Sequence, residues 1–163
     1  MSTISTTTGN TPAQRLAELG ITLPPAPAPI ANFVTHVREG NLLFLSGQGP
    51  LDTSGNLSKG KVGADVSIEK AYADARLTGI NLLAVMQEAL GDLGRVKRVV
   101  KLLGMVNAAP DFCDHPAVIN GCSDLFNDVF GPQGVHARSA IGMGSLPNQI
   151  TVEIEAIIAL NDE

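Results

Sequence analysis

His136-Ala-Arg-Ser-Ala140, Ser145-Leu-Pro-Asn-Gln149 and Thr151-Val-Glu-Ile-Glu-Ala156 follow one another in a single segment of the chain. The outer two runs read as extended, and the middle one as a proline turn joining them. In the last run Ile150, Val152, Ile154, Ala156 and Ile158 alternate with Thr151, Glu153, Glu155 and Ile157. A period of two is that of a strand with one apolar face. Arg138 then stands on a sheet that ought to be buried, and a buried guanidinium needs an anionic partner. That partner is either a structural carboxylate or a bound acid.

Upstream of this segment, Phe33–Arg38 and Leu42–Ser46 read as two strands joined by a turn at Glu39-Gly40-Asn41, a β-hairpin. Ser67 is placed to cap a long helix running to about Leu90, with an apolar stripe through Ile68, Ala71, Tyr72, Ala75, Gly79, Leu82, Leu83, Met86 and Leu90. Val96–Asn107 is a strand, joined to the hairpin by a parallel-type connection over that helix. Asp114 and Pro116 open a second helix, whose stripe is Val118, Cys122, Leu125 and Val129. Arg138–Gly144 and Thr151–Leu160 are the last strands. The order β-β-α-β-α-β-β predicts an α+β domain, a mixed sheet with two helices on one face.

The first 28 residues read as an arm. Ser2–Thr11 is polar and expected to be disordered, residues 12–20 form a short helix ended by Gly20, and residues 23–29 hold closely spaced prolines that favour an extended chain. Residues 29–163 read as one domain.

Composition narrows the function classes. Hydrophobic residues make up 44% of the chain, enough for a core, but charged residues only 17%, which points to further burial in an oligomer. The net charge of -5 opposes unspecific nucleic-acid binding, and the basic cluster Arg95, Lys97, Arg98 and Lys101 reads as a solvated strand edge. Cys113, Cys122 and three scattered histidines give no metal-ligand spacing. Cys122, on the stripe of the second helix, reads as a small packed hydrophobe. No apolar run is long enough for a membrane span, and the N-terminus lacks a signal-peptide pattern, so a cytoplasmic protein is expected.

Among residues able to do chemistry, Arg138 comes first, because its planar fork matches a carboxylate. Two readings of it stay open: an ion pair with Glu153 or Glu155 inside the sheet, or a grip on a small acid. Glu153 and Glu155 leave one face of their strand. One could orient water, or both could be structural. Ser46-Gly47-Gln48-Gly49 lacks the spacing and lysine of a phosphate loop. It reads as a strand end where glycine allows close approach. Asn107 and Asn120 read as local hydrogen bonders.

Four blocks carry a family resemblance over roughly residues 29–160: Gly40-Asn-Leu-Leu-Phe-Leu-Ser-Gly-Gln48, Asn81-Leu-Leu83, Ala137-Arg-Ser-Ala140, and Leu146-Pro147 with Val152-Glu-Ile-Glu-Ala156. The chain resembles the RidA/YjgF family, also called the endoribonuclease L-PSP family. Its proline-rich arm and the run Val106–Phe112 look like a longer bacterial subgroup. The resemblance implies a chorismate-mutase-like homotrimer, with helices outside, an inner barrel of sheets, and clefts between subunits that bind small acids. It implies hydrolysis of 2-imino acids to 2-keto acids and ammonia without metal or cofactor. In that scheme Arg138 grips the carboxylate and Glu153 positions the attacking water. Ser46 and Gly47 match strand-end cleft residues, and Asn120 a cleft asparagine on the second helix. Ala140 stands where the family commonly has cysteine, and Phe33 where active members have a cleft tyrosine. A module that binds keto or carboxylic acids without turnover would use the same Arg138 and not need Glu153. Ribonuclease activity is opposed by the acidic balance and the lack of a histidine pair. Restoring the hydroxyl in Phe33→Tyr is expected to raise the rate of imine hydrolysis, measured as ammonia release from enzymatically generated 2-iminopropanoate.

Overall fold

The computed structural model describes residues 9–161. The elements are α1 (Pro12–Glu18), β1 (His36–Glu39), β2 (Leu42–Gln48), α2 (Ile68–Leu90), β3 (Val96–Asn107), α3 (His115–Phe130), β4 (Ala137–Met143) and β5 (Val152–Leu160). The five strands form one mixed sheet in the order β1-β2-β5-β3-β4. β5 pairs antiparallel with β2 on one side and β3 on the other, while β3 and β4 pair parallel. β2 and β3 therefore run parallel to each other, as the connection over α2 predicts, but β5 is inserted between them.

Alternation along β5 fixes which face each residue joins. Val152, Ile154, Ala156 and Ile158 are buried, and so are Leu43 and Leu45 of β2 and Val99, Leu102 and Val106 of β3. These residues meet the stripes of α2 and α3, so both helices cover one face and the expected α+β architecture holds. The buried face of α2 is wider than its apolar stripe, because Asp74, Thr78 and Asn81 are buried with it. Val118, Cys122, Leu125 and Val129 of α3 are fully buried as predicted.

The helices touch closely at Gly121. A Cβ there would lie 2.0 Å from the Tyr72 carbonyl oxygen and 2.9 Å from the Arg76 nitrogen. Only hydrogen on that Cα lets α3 lie this near α2.

Buried polar groups hold the long loop between β2 and α2. Asp74 accepts from Ser58 and Thr151, each at 2.8 Å, and pairs with Lys70. Asn81 donates to the carbonyls of Gly49 and Leu51, both at 3.0 Å. Asn107 donates to Gly60 O (3.1 Å) and Gln149 Oε1 (3.3 Å) and accepts from Lys61 Nζ (2.8 Å), partners far off in the chain rather than the local bonding expected of it. Each carboxylate or amide is satisfied, which is the condition for burying it.

Three further expectations are corrected. β1 starts at His36, so Phe33 lies in a bend ahead of it rather than on a strand, its N–H donating to Ala31 O at 2.9 Å. Backbone pairing reaches Thr35, whose carbonyl accepts from Ser46 N–H at 2.9 Å, and Ser46 Oγ then donates to Val34 O at 2.7 Å, where β2 loses regular register with β5. Thr11 is ordered: it caps α1 in a capping box with Gln14. Residues 2–8 of the run expected to be disordered lie outside the described residues. Asp114 precedes α3, but its side chain makes no capping bond because its backbone (φ -97, ψ 36) is not in the extended region. The arm also packs down: Leu16 joins the core, and Arg15 Nη1 donates to Asp128 O on α3. Among the described residues no helix is long and apolar enough to cross a membrane.

Gly121→Ala is expected to cost roughly 3 kcal/mol, since the methyl meets backbone rather than a movable side chain. Chemical denaturation of the variant beside wild type measures this.

Candidate functional site

The residues singled out from the sequence fall into two groups on different parts of the sheet. The first surrounds Glu153. A Cβ on Gly47 would lie 3.0 Å from Glu153 Cγ and Cδ, so the absence of a side chain at 47 gives the glutamate its place. Glu153, Gly47 and Phe33 line one cavity of about 430 Å³, with Thr35, Gln48 and the arm residues Pro27 to Ala31. Ser46 adjoins this group, but its hydroxyl is spent on Val34 O. The Glu153 carboxylate has no hydrogen-bonding or ionic partner among the described residues. Burial raises its pKa above the ordinary carboxylate value, and the neighbouring Glu155 charge adds to the shift. Asn148, which lines the cavity, and Gln149 next to it in the chain hold positive φ of 55° and 57°. Backbone bonds from Gln149 N to Leu146 O and from Gly60 N to Gln149 O keep that turn in place.

The second group surrounds Arg138. Its Nη1 donates to Ser123 Oγ at 3.0 Å and its Nη2 to Pro116 O at 3.3 Å, both on α3. Asn120 is exposed on the same helix, in the 116-120-123 spacing that shares one side. Ala140 lies two residues along β4 from Arg138, so its side chain is on the same face of the strand, packed against the core. A guanidinium has five N–H donors; these two bonds leave three for a ligand.

The register separates the groups. Arg138 pairs with Leu102, which pairs with Ala156, and both of these are buried under the helices. Glu153 pairs with Met105, which pairs with Ile141, on the opposite face. The two positions are therefore about 10 Å apart across two strand spacings and about 10 Å along them, with side chains leaving opposite faces. Glu155 shares the open face with Glu153. The ion pair within the sheet that the sequence left possible does not form: among the described residues no carboxylate pairs with Arg138. A single chain brings Gly47, Phe33 and Glu153 together, and Arg138, Asn120 and Ala140 together, but not the two sets.

Sequence reading missed Ser123 and His136, which bond to each other at 2.9 Å beside Arg138. The signal was present. Ser123 completes the 116-120-123 spacing on α3, and His136 stands two residues before Arg138.

A family model described as "YjgF/chorismate mutase-like, putative endoribonuclease" matches residues 13–153. Protein TCP17 of Trypanosoma cruzi is 44% identical over 151 residues, covering 92% of this chain and 94% of that protein. The 2-iminobutanoate/2-iminopropanoate deaminase of Escherichia coli K12 is 33% identical over 81% of this chain and 90% of its own. Among solved structures, protein Atu1372 of Agrobacterium tumefaciens, of unknown function, superposes with a TM-score of 0.83 at 45% identity, covering 90% of this chain and 92% of that one.

Glu153 is expected to titrate above an ordinary glutamate in a carbon-detected NMR pH series. Because the Glu155 charge raises that pKa, Glu155→Gln is expected to move the Glu153 midpoint down; a midpoint that rises or stays fixed contradicts the coupling.

Proposed function

The chain belongs to the RidA/YjgF family, and on that premise we propose that it hydrolyses 2-imino acids to 2-keto acids and ammonia in a cleft completed by two copies of itself. The observation that carries this reading is the separation just described. An arginine with three free N–H donors and a carboxylate without a partner lie on opposite faces of one sheet. Each lacks what the other supplies, and neither can reach its counterpart within the chain.

The open sheet face favours the same assembly. Val37, Phe44 and Ile141 are 54%, 41% and 40% exposed there, among the carboxylates of Glu153 and Glu155. A half-apolar face on an otherwise covered sheet calls for a partner, and closed rotational symmetry supplies one without leaving open edges. A homotrimer with these faces inward sets the Glu153 cavity of one copy beside Arg138 of the next. Residues 29–163 form the catalytic unit, and the arm, through Pro27 and Ala28, supplies part of the cavity wall.

In that cleft Arg138 holds the substrate carboxylate with two parallel N–H bonds, leaving C2 of the imine near Glu153. Glu153, as carboxylate, takes a proton from water as the water oxygen bonds to C2. The C=N electron pair moves to nitrogen, which takes that proton from Glu153, leaving a carbon that bears both a hydroxyl and an amino group. Glu153, again a carboxylate, then takes the hydroxyl proton as the carbonyl forms and the C–N bond breaks, and passes it to the departing nitrogen, which leaves as ammonia. A raised Glu153 pKa suits both halves of this exchange, since the base must also act as acid. Gly47 and Phe33 shape the wall, Ser46 braces the turn behind it, and Asn120 and Ala140 flank Arg138. The substrate is a small 2-imino acid and the chemistry needs no cofactor. RNA is disfavoured as a substrate, because its phosphates would meet Glu153 and Glu155 on the open face.

A second reading, an acid-binding module without turnover, draws support from Phe33, which brings no hydroxyl to the cavity.

Purified protein is expected to accelerate 2-iminopropanoate hydrolysis, and Arg138→Ala and Glu153→Gln to lose at least about 100-fold of that rate. Mixing the two inactive variants under subunit exchange is expected to restore activity. Random assembly regenerates about one quarter of the clefts with both residues native. Keto-acid binding without turnover would favour the binding module, and no recovery on mixing would sink the shared cleft.

A further inference from the structure

The Arg138 guanidinium is held by a chain of hydrogen bonds whose direction the chemistry fixes. His136 Nδ1 lies 2.5 Å from Gly134 O. A carbonyl only accepts, so Nδ1 carries the proton. In the neutral ring Nε2 is then the acceptor, and its partner at 2.9 Å is Ser123 Oγ. The Ser123 hydroxyl must donate to it, which leaves the oxygen's lone pairs for Arg138 Nη1 at 3.0 Å. Every proton in the sequence Arg138, Ser123, His136, Gly134 is thereby placed.

The anchors of this chain are rigid. Ser123 is buried on α3. A Cβ on Gly134 would come 2.2 Å from Phe126 O, so this backbone is pressed onto α3. The Phe126 ring meets the His136 ring edge-on, with centroids 6.4 Å apart and planes at 76°. Burial lowers the His136 pKa, with Arg138 also lowering it and the Gly134 bond opposing, so the ring is neutral at neutral pH. Arginine alone has several torsions to fix, and a pre-set fork spends less of its binding energy on ordering.

We propose that Ser123 and His136 are positioning residues for the carboxylate grip: they hold the Arg138 guanidinium so that its three free N–H donors face the ligand. This rests on the reading of Arg138 as the group that binds the substrate carboxylate. His136 acts only through Ser123, and Ser123 only through Arg138.

The test measures pyruvate binding by calorimetry on the full-length assembled protein, with imine turnover and thermal midpoint followed in parallel. Ser123→Ala and His136→Leu are each expected to weaken pyruvate binding on the order of tenfold. KM should rise by a similar factor with little change in kcat, since the grip serves ground state and transition state alike. His136→Gln, which returns an acceptor at the Nε2 position, should recover most of the loss seen in His136→Leu. Arg138→Ala should abolish binding. If His136→Leu binds pyruvate as wild type does while Arg138→Ala does not, the positioning role is overturned and the carboxylate grip stands. If His136→Gln is as weak as His136→Leu, acceptance at Nε2 is not what matters and the proposal also fails. Undiminished binding in Arg138→Ala would overturn the carboxylate grip itself. Should Ser123→Ala not fold, the two His136 variants decide alone, because that side chain is only half buried and tolerates replacement.

Discussion

The period of two along β5, a strand paired on both sides, governs the rest of the molecule. It sends Val152, Ile154, Ala156 and Ile158 under the helices and Glu153, Glu155 and Ile157 to the open face. Because β5 is bonded to β2 and β3 at once, its parity fixes theirs. β3 passes the same parity to β4, and Arg138 falls on the covered side. A one-residue slip of β5 would expose the core and bury two carboxylates. The geometry that forms the core therefore also keeps the arginine and the glutamate of one chain apart.

A second layer of constraint is polar. Asn81 and Asn107 each tie the long loop before α2 to the framework by two bonds, and Asp74 joins Ser58 of that loop to Thr151 ahead of β5. Their value lies in specificity: an unmade bond at any of them would leave a buried polar group unsatisfied. The loop leads out of β2 beside Gly47 and returns near Thr151, so it buttresses both strands that carry the Glu153 cavity. The two groups of candidate residues thus rest on different supports, loop and arm for one and α3 for the other.

Much of this was legible in the chain. Alternation in residues 150–158 and the three-and-four spacing of residues 68–90 are strong periodic signals, and the corresponding elements appear almost to the residue. Arg138 and Glu153 stood out because charge on a strand is costly. Their placement on opposite faces did not, since parity between two strands depends on pairing register, which a linear pattern does not contain. The alternation of its neighbours reads Phe33 into a strand, whereas the Ser46 hydroxyl takes the Val34 carbonyl. Asp74 stayed hidden because an acidic residue on a helix reads as solvent-facing. Its position, three residues after Ala71 and four before Thr78, was the clue to its burial. Ser123 and His136 were small polar residues near an arginine, and only the direction of three hydrogen bonds turns them into a support for it.

The position of β5 also bears on how the chain is made. The strand that joins the two halves of the sheet is the last of the five to be synthesised, yet it sits at the centre. Until residues 152–160 leave the ribosome, β2 and β3 each present an unpaired edge to whatever is near. The contacts that close the sheet then link residues far apart in the chain, from Leu42 with Ala159 to Val106 with Val152. Such long-range pairing slows folding. Folding therefore waits on the final strand, and β2 and β3 keep their open edges until it inserts between them.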